Sequence, residues 1–213
     1  MAERPAWKYN LETKKLERNS YEFVFNPGFS VTQKQKNIKA LHEQIGEKTL
    51  EVSTKSPDET GISLSAFNLR LEQVPLENIF QSSKKYEYGG PYIDMLQMHP
   101  RDAKRDERHH SSGKLTAFVY HGMEFPLEPK TFFYDYIYII AVKESIAPEK
   151  IKEILEYTCF TDIEFNPKKS INCQAKSAAL LKAFLTEYGE IPDIRSDMEE
   201  FVRFYRYVGA DRV

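Results

Sequence analysis

Glu77, Gln81 and Lys84 stand at i, i+4 and i+7. On a helix turning about 100° per residue they fall within an arc of about 60°, so a carboxylate, an amide and an amine form one column. Leu76, Ile79, Phe80 and Ser83 make the adjacent, mainly apolar face. On a solvated surface such a column is weak Glu–Lys support for the helix. In a poorly hydrated cleft the amine loses basicity and can attack as a nucleophile, with the carboxylate moving its protons. His109 and His110 are adjacent, point apart on a helix and have no Cys or His cluster to join, so no metal site is expected. Cys159 and Cys173 lack a neighbouring base in sequence and read as buried structural thiols, a single bridge between them being the less favoured alternative.

The elements that must position the column follow from punctuation and period. Pro75 suits a first helical turn, and a helix from there is expected to run to about residue 87, stopping before Gly89-Gly90-Pro91. Upstream, 21–25 alternates and reads as a strand closed by Asn26-Pro27-Gly28. Ser30 or Thr32 caps a helix reaching Lys48, with Ile38, Leu41 and Ile45 at helical spacing. A short strand at 50–52, a loop at 56–59 and an irregular stretch over 62–71 precede Pro75.

Downstream, a short helix over 92–98 and a charged helix from Pro100 to about His110 lead to a strand at 115–120, a His121-Gly122 turn and a return strand at Glu124-Phe125. Phe133, Tyr136, Ile137 and Ile140 give the aromatic stretch 129–143 a helical period. Helices over 148–157, 174–188 and 193–208 complete the chain, with 161–167 irregular. The fold class is α+β, mostly helical, with a few short strands.

A chain of 213 residues suits one domain, with a core at about 21–188 and a C-terminal helical extension at about 191–208. With 41% hydrophobic and 29% charged residues it can build a core and remain solvated. A net charge of −2 argues against a protein that coats nucleic acid by bulk charge, leaving room for a local basic patch. Met1-Ala2-Glu3-Arg4-Pro5 opens no apolar leader, and the longest apolar run, 136–142, is far too short to cross a bilayer. No membrane partner and a reducing, cytoplasmic home are expected.

The spelling of the column narrows these readings. Glu77-Asn78-Ile79-Phe80-Gln81-Ser82-Ser83-Lys84 resembles the NADAR signature of Glu, His or Asn, an aromatic pair or near-pair, Gln, two small or polar residues and Lys. Ser65-Ala66-Phe67-Asn68 resembles the family's Ser-Asn-Phe element, and Asn172 before a helix rich in small residues resembles its closing Asn-x-Leu-Gly segment. Asp162 stands where the family has an Asp. Two departures stand out: the family's usual His is Asn78, and its Trp-Gly and glycine-rich run is replaced by Glu164-Phe165-Asn166-Pro167-Lys168-Lys169. The stretches 29–36, 64–69, 104–108, 111–115 and 160–175 resemble the NADAR antitoxins paired with DarT-class DNA ADP-ribosyltransferases, so the resemblance spans about 21–185.

The resemblance implies a compact NADAR-like domain and a hydrolase that removes ADP-ribose from guanine bases in DNA by cutting the N-glycosidic bond, acting as the antitoxin of a toxin–antitoxin pair. It implies ADP-ribosylated DNA and a cognate DarT-class toxin as partners, no cofactor and no metal. Lys84, Glu77 and Asp162 are the catalytic candidates: Lys84 to trap the anomeric carbon with Glu77 moving protons and Asp162 as second acid/base or holder of the ribose diol, or, alternatively, water to attack with Glu77 or Asp162 as base and Lys84 as an electrostatic contact. Ser65, Phe67, Asn68, Gln81, Tyr92, Arg105, Lys114 and Asn172 are the substrate-binding candidates, with Arg105, Lys104 and Lys114 near the Ser111-Ser112-Gly113 loop for phosphate and Phe67 or Tyr92 for stacking. Two other functions stay open: an N-glycosidase of a free nucleotide or riboflavin-pathway intermediate, and a non-catalytic toxin-binding protein using the aromatic C-terminal helix with Phe201, Phe204, Tyr205 and Tyr207.

Overall fold

A helix that is apolar all round belongs in an interior. In the computed structural model the helices Phe132–Ser145 and Gln174–Tyr188 pack against each other, with every residue buried over 132–142 and over 174–185. The rest of the chain is layered around this pair. The structure describes residues 1–168 and 170–212; Lys169, in the run that replaces the glycine-rich segment, lies outside the described residues.

The chain opens with β1 (Ala2–Asn10) and β2 (Lys15–Phe23), then α1 (Val31–Ile45) and β3 (Thr49–Glu51). Next come α2 (Glu59–Ser63), β4 (Arg70–Leu71), β5 (Val74–Pro75), α3 (Leu76–Ser82) and β6 (Lys84–Tyr86). A 3₁₀ turn at Ile93–Gln97 leads to α4 (Pro100–Arg105), α5 (Arg108–Ser111), β7 (Leu115–Tyr120) and β8 (Met123–Phe125). The central helix α6 (Phe132–Ser145) is followed by α7 (Pro148–Lys152), a 3₁₀ turn at Glu153–Glu156, β9 (Cys159–Thr161), the second central helix α8 (Gln174–Tyr188) and α9 (Met198–Tyr207).

One sheet has the order β2-β1-β9-β3, antiparallel except for the parallel β3–β9 pair. A second, β6-β7-β8, is antiparallel throughout, and β4 pairs with β5. The expected strand at 21–25 is the end of a long hairpin whose first strand the period did not reveal. The hairpin buries Trp7, Tyr9 and Leu16 on one face and Ala6 and Phe23 on the other, with Lys, Glu and Arg between them, so no single alternation marks it.

Several boundaries differ from the sequence reading for local reasons. The helix beginning at Val31 ends at Ile45 rather than Lys48, because Gly46 adopts a left-handed φ of 69° and its N–H closes onto the His42 carbonyl. The loop expected at 56–59 runs into α2, whose N-cap Asp58 accepts the Thr60 N–H. The charged helix expected from Pro100 to His110 breaks at Asp106, whose carboxylate takes the Arg108 N–H at 2.9 Å and starts a new turn.

The aromatic C-terminal helix is a packing face. Phe201, Phe204 and Tyr205 are buried, with Phe204 stacked on Phe184 at 4.1 Å between centroids, and Tyr207 alone of the four remains exposed. A buried polar cluster fastens this end of the chain. Lys176, only 2% exposed, donates to Thr131 Oγ1 (2.6 Å), the Ala210 carbonyl (2.7 Å) and Tyr205 Oη (3.1 Å), and lies 3.4 Å from Asp135. Asp135 in turn accepts from Ser177 (2.6 Å), Thr131 (2.7 Å) and Tyr205 (2.8 Å). No described helix is long and apolar enough to cross a membrane.

Candidate active site

The column Glu77, Gln81, Lys84 is present, but not all of it is helical. α3 stops at Ser82: the Ile79 carbonyl takes the last helical N–H, from Ser83 at 3.1 Å, and also accepts the hydroxyls of Ser82 and Ser83. Lys84 opens β6, held by pairing with Phe118 of β7. The helix expected to reach residue 87 is therefore cut short by the strand that carries the lysine. The loop beyond β6 closes over it through Gly90, at φ +78°, where a Cβ would stand 2.2 Å from the Lys84 carbonyl oxygen.

The whole of α3 is buried. Asn78, where the family has its usual His, is fully buried and donates to the carbonyls of Met95 (2.7 Å) and Met98 (2.8 Å), tying α3 to the 3₁₀ turn. Gln81 links the column: its amide donates to Glu77 Oε1 at 2.8 Å and its carbonyl accepts from Lys84 Nζ at 2.6 Å. The Lys84 ammonium lies 5.3 Å over the Phe80 ring. Burial pulls Lys84 down to about 8, against the opposing attraction of Glu77 and with help from Lys104.

Asp162 follows β9. One carboxylate oxygen accepts the N–H groups of Glu164 (3.0 Å) and Phe165 (3.2 Å), and the other accepts the Gln174 amide (3.0 Å). Burial, and next the neighbouring Glu51 carboxylate, push Asp162 up to about 7. Glu51 is itself buried and raised by that burial; it accepts from Thr161 Oγ1 (2.7 Å) and the Ile163 N–H (2.8 Å), bracketing Asp162 on both sides in sequence. Gln174 Oε1 also accepts the Ala66 N–H at 2.6 Å, so one side chain joins the Asp162 turn to the Ser65–Phe67 loop.

These pieces converge on a cavity of about 530 Å³, within the range of small-ligand sites. Lys84, Glu77, Asp162, Gln81, Phe67 and Asn172 of the sequence-derived set line it. Ser65, Asn68, Tyr92, Arg105 and Lys114 do not. Ser65 is buried one residue behind the wall, Asn68 donates to the Ile62 carbonyl, and Tyr92 bonds Ser112 Oγ beneath the Arg108 guanidinium. Arg105 and Lys114 are exposed, and the Lys114 N–H is used by Glu87. His109 uses both ring nitrogens structurally, on Tyr86 Oη and the Ala103 carbonyl. Cys159 and Cys173 are free and buried.

Of the three basic residues read as phosphate candidates, Lys104 lines the cavity, its Nζ 3.7 Å from Glu77 and 6.0 Å from the centre of the Phe67 ring. The sequence reading missed Lys130 and Tyr134 of the wall, Lys130 bringing further positive charge. Tyr134 packs edge-on against Phe80 at 5.4 Å, and burial with Glu77 and Asp162 nearby keeps its hydroxyl protonated. On a helix buried all round, no period could single Tyr134 out. Asn172 Oδ1 has no hydrogen-bond partner among the described residues, leaving an acceptor free at the cavity wall.

The arrangement can thus offer a weakly basic amine, a protonatable carboxyl group and an ionisable carboxylate to one small molecule. Among comparisons with known proteins, a family model described as the DarT1-associated NADAR antitoxin matches residues 2–212. No curated protein matches the chain.

Proposed function

This chain belongs to the DarT1-associated NADAR antitoxin family, and we propose on that premise that it removes ADP-ribose from guanine bases in DNA by hydrolysing the N-glycosidic bond. The observation that carries the reading is the desolvated Lys84 amine lining one cavity with the Glu77 and Asp162 carboxyl groups.

Lys84 attacks C1″ of the ribose as a neutral amine while the bond from C1″ to the guanine amino nitrogen breaks. Asp162, held partly protonated at neutral pH, passes its proton to the departing nitrogen. Glu77 takes a proton from the newly bonded lysine nitrogen and returns it to the ribose ring oxygen, opening the ring to an imine. Water adds to the imine, one of its protons restores Asp162, and ADP-ribose leaves with the amine regenerated. Water replaces guanine at C1″ and nothing is oxidised or reduced. Lys104 and Lys130 suit the diphosphate, and the free Asn172 acceptor suits a base or hydroxyl donor.

Borohydride added during turnover is expected to trap ADP-ribose on Lys84, located by peptide mass. Turnover with no adduct on any lysine would leave direct water attack as the route. Lys84→Ala is expected to lower kcat/KM on an oligonucleotide bearing ADP-ribosyl-guanine by about three orders of magnitude, the scale of losing an activated nucleophile. Hydrolysis of free riboflavin-pathway intermediates with the oligonucleotide left intact would redirect the reading to the small-molecule substrate. Full protection of cells from the toxin by Lys84→Ala would instead place the antitoxin role in binding.

A further inference from the structure

We propose that the ridge made by Phe29 and the first turns of α1 holds the nucleic-acid strand that flanks the modified base. The proposal rests on the reading that the substrate base sits in DNA, but it concerns a surface outside the catalytic cavity.

Phe29 is 97% exposed, and Val24, Phe25 and Val31 beside it are also exposed. The loop that carries Phe29 has a built support. Asn37, fully buried, accepts the Asn26 N–H at 2.7 Å and donates to the Asn26 carbonyl at 2.9 Å. Gln33 donates to the Pro27 carbonyl at 3.0 Å, and Ser30 Oγ caps α1 by accepting the Gln33 N–H at 3.2 Å. Two amide side chains and a helix cap thus brace the loop that presents an apolar ring to solvent, which marks a contact surface.

Charge identifies what would cover it. Between Glu22 and Glu43 the chain has no acidic residue, while Lys34, Lys36 and Lys39 fall within that interval. The first turn of α1 holds no acid, so the positive end of its dipole is unopposed. Lys34 pairs with Glu164 and Lys39 with Glu43, which leaves the exposed Lys36 on a segment with no acid of its own. An exposed ring on such a segment matches a phosphate backbone with bases to stack, and stacking tolerates any sequence. The ridge also reaches the site: Lys34 Nζ lies 3.0 Å from Glu164, a wall residue of the cavity, and Arg4 Nε donates to the Ile163 carbonyl at 3.4 Å. A strand whose modified base enters the cavity can therefore continue along Lys34 toward Phe29.

The test uses a fluorescein-labelled, unmodified single strand of about 15 nucleotides, long enough to span more than one site of this kind. Anisotropy is expected to show binding by the wild-type protein, weakened on the order of tenfold in Phe29→Ala, as for loss of one stacked base. Lys36→Ala is expected to flatten the salt dependence by about one unit of slope. Both side chains are exposed, and unchanged thermal melting verifies that the variants fold. Phe29→Ala should also lower kcat/KM on the modified oligonucleotide while leaving the modified mononucleoside unaffected. The proposal is overturned by a wild-type protein that binds no strand, by a Phe29→Ala protein that binds as wild type, by equal losses on both substrates, or by loss of toxin capture alone. Strand binding without hydrolysis would sink the catalytic reading and keep the surface. Hydrolysis with Phe29→Ala indistinguishable from wild type would do the reverse.

Discussion

At Lys84 two opposing effects meet, and burial wins. The Glu77 carboxylate two hydrogen bonds away favours the ammonium, yet desolvation holds the group down at about 8. At pH 7 such an amine is neutral in about a tenth of molecules, against about one in three thousand for an ordinary lysine. Asp162 moves the other way, up to about 7, because burial and the Glu51 charge both disfavour its anion. Under the proposed mechanism the active form needs neutral Lys84, which grows as pH rises through about 8, and protonated Asp162, which is lost as pH rises through about 7. The product of the two is bell-shaped, and kcat/KM on the modified oligonucleotide is expected to peak between these values. Glu51→Gln keeps the shape of the support but removes its charge, so Asp162 should give up its proton more readily. The acid-side limb is then expected to move to lower pH with a lower rate at neutrality; an unchanged profile would show that Glu51 serves only to hold the turn.

At the scale of elements, the site depends on short pieces held by polar ties rather than on long regular ones. α3 and β6 are brief, and their junction is set by the two serine hydroxyls on Ile79 and by the β6–β7 pairing. Asn78 fixes the other side of α3 through two carbonyls of the 3₁₀ turn. Asn78→Ala leaves both carbonyls without that donor, and the expected loss is about 1–3 kcal/mol of unfolding free energy, read by urea denaturation. A fall in kcat at saturating substrate should accompany it, because the column rides on α3. Glu77 and Gln81 were legible as a column because both lie on α3, and Lys84, at the start of β6, joins them through its hydrogen bond to Gln81. The helix end itself was not legible: it depends on β7, which pairs with Lys84 from more than thirty residues away.

At the scale of the molecule, α6 and α8 form the interior, and the C-terminal segment is locked to them by Lys176 and Asp135. A buried ion pair is costly to break because the remaining charge stays buried without a partner. Asp135→Ala is expected to destabilise the fold by about 3–5 kcal/mol, lowering the urea midpoint with little change in slope. A change below about 1 kcal/mol would mean that the segment after α9 moves and lets water reach Lys176. The same packing explains why the aromatic set of α9 does not form an outer surface: Phe201 and Phe204 meet Phe132, Tyr136 and Phe184 inside.

Local patterns sufficed for the α+β class, for most helices and for the Glu77, Gln81 and Lys84 column, since helical period, caps and a spelled signature are all written within a few positions of one another. Long-range contacts decided the rest. The first strand came from pairing with β2 and β9, the truncation of α3 from β7, and the cavity from the meeting of β9, the Ser65 loop and α6. Glu51, Gln174 and Tyr134 could not be singled out in advance, because burial beside Asp162 or Lys84 is a property of three-dimensional packing that no sequence period records. For the same reason Arg105 and Lys114, close in sequence to Lys104, stay outside the cavity that Lys104 lines.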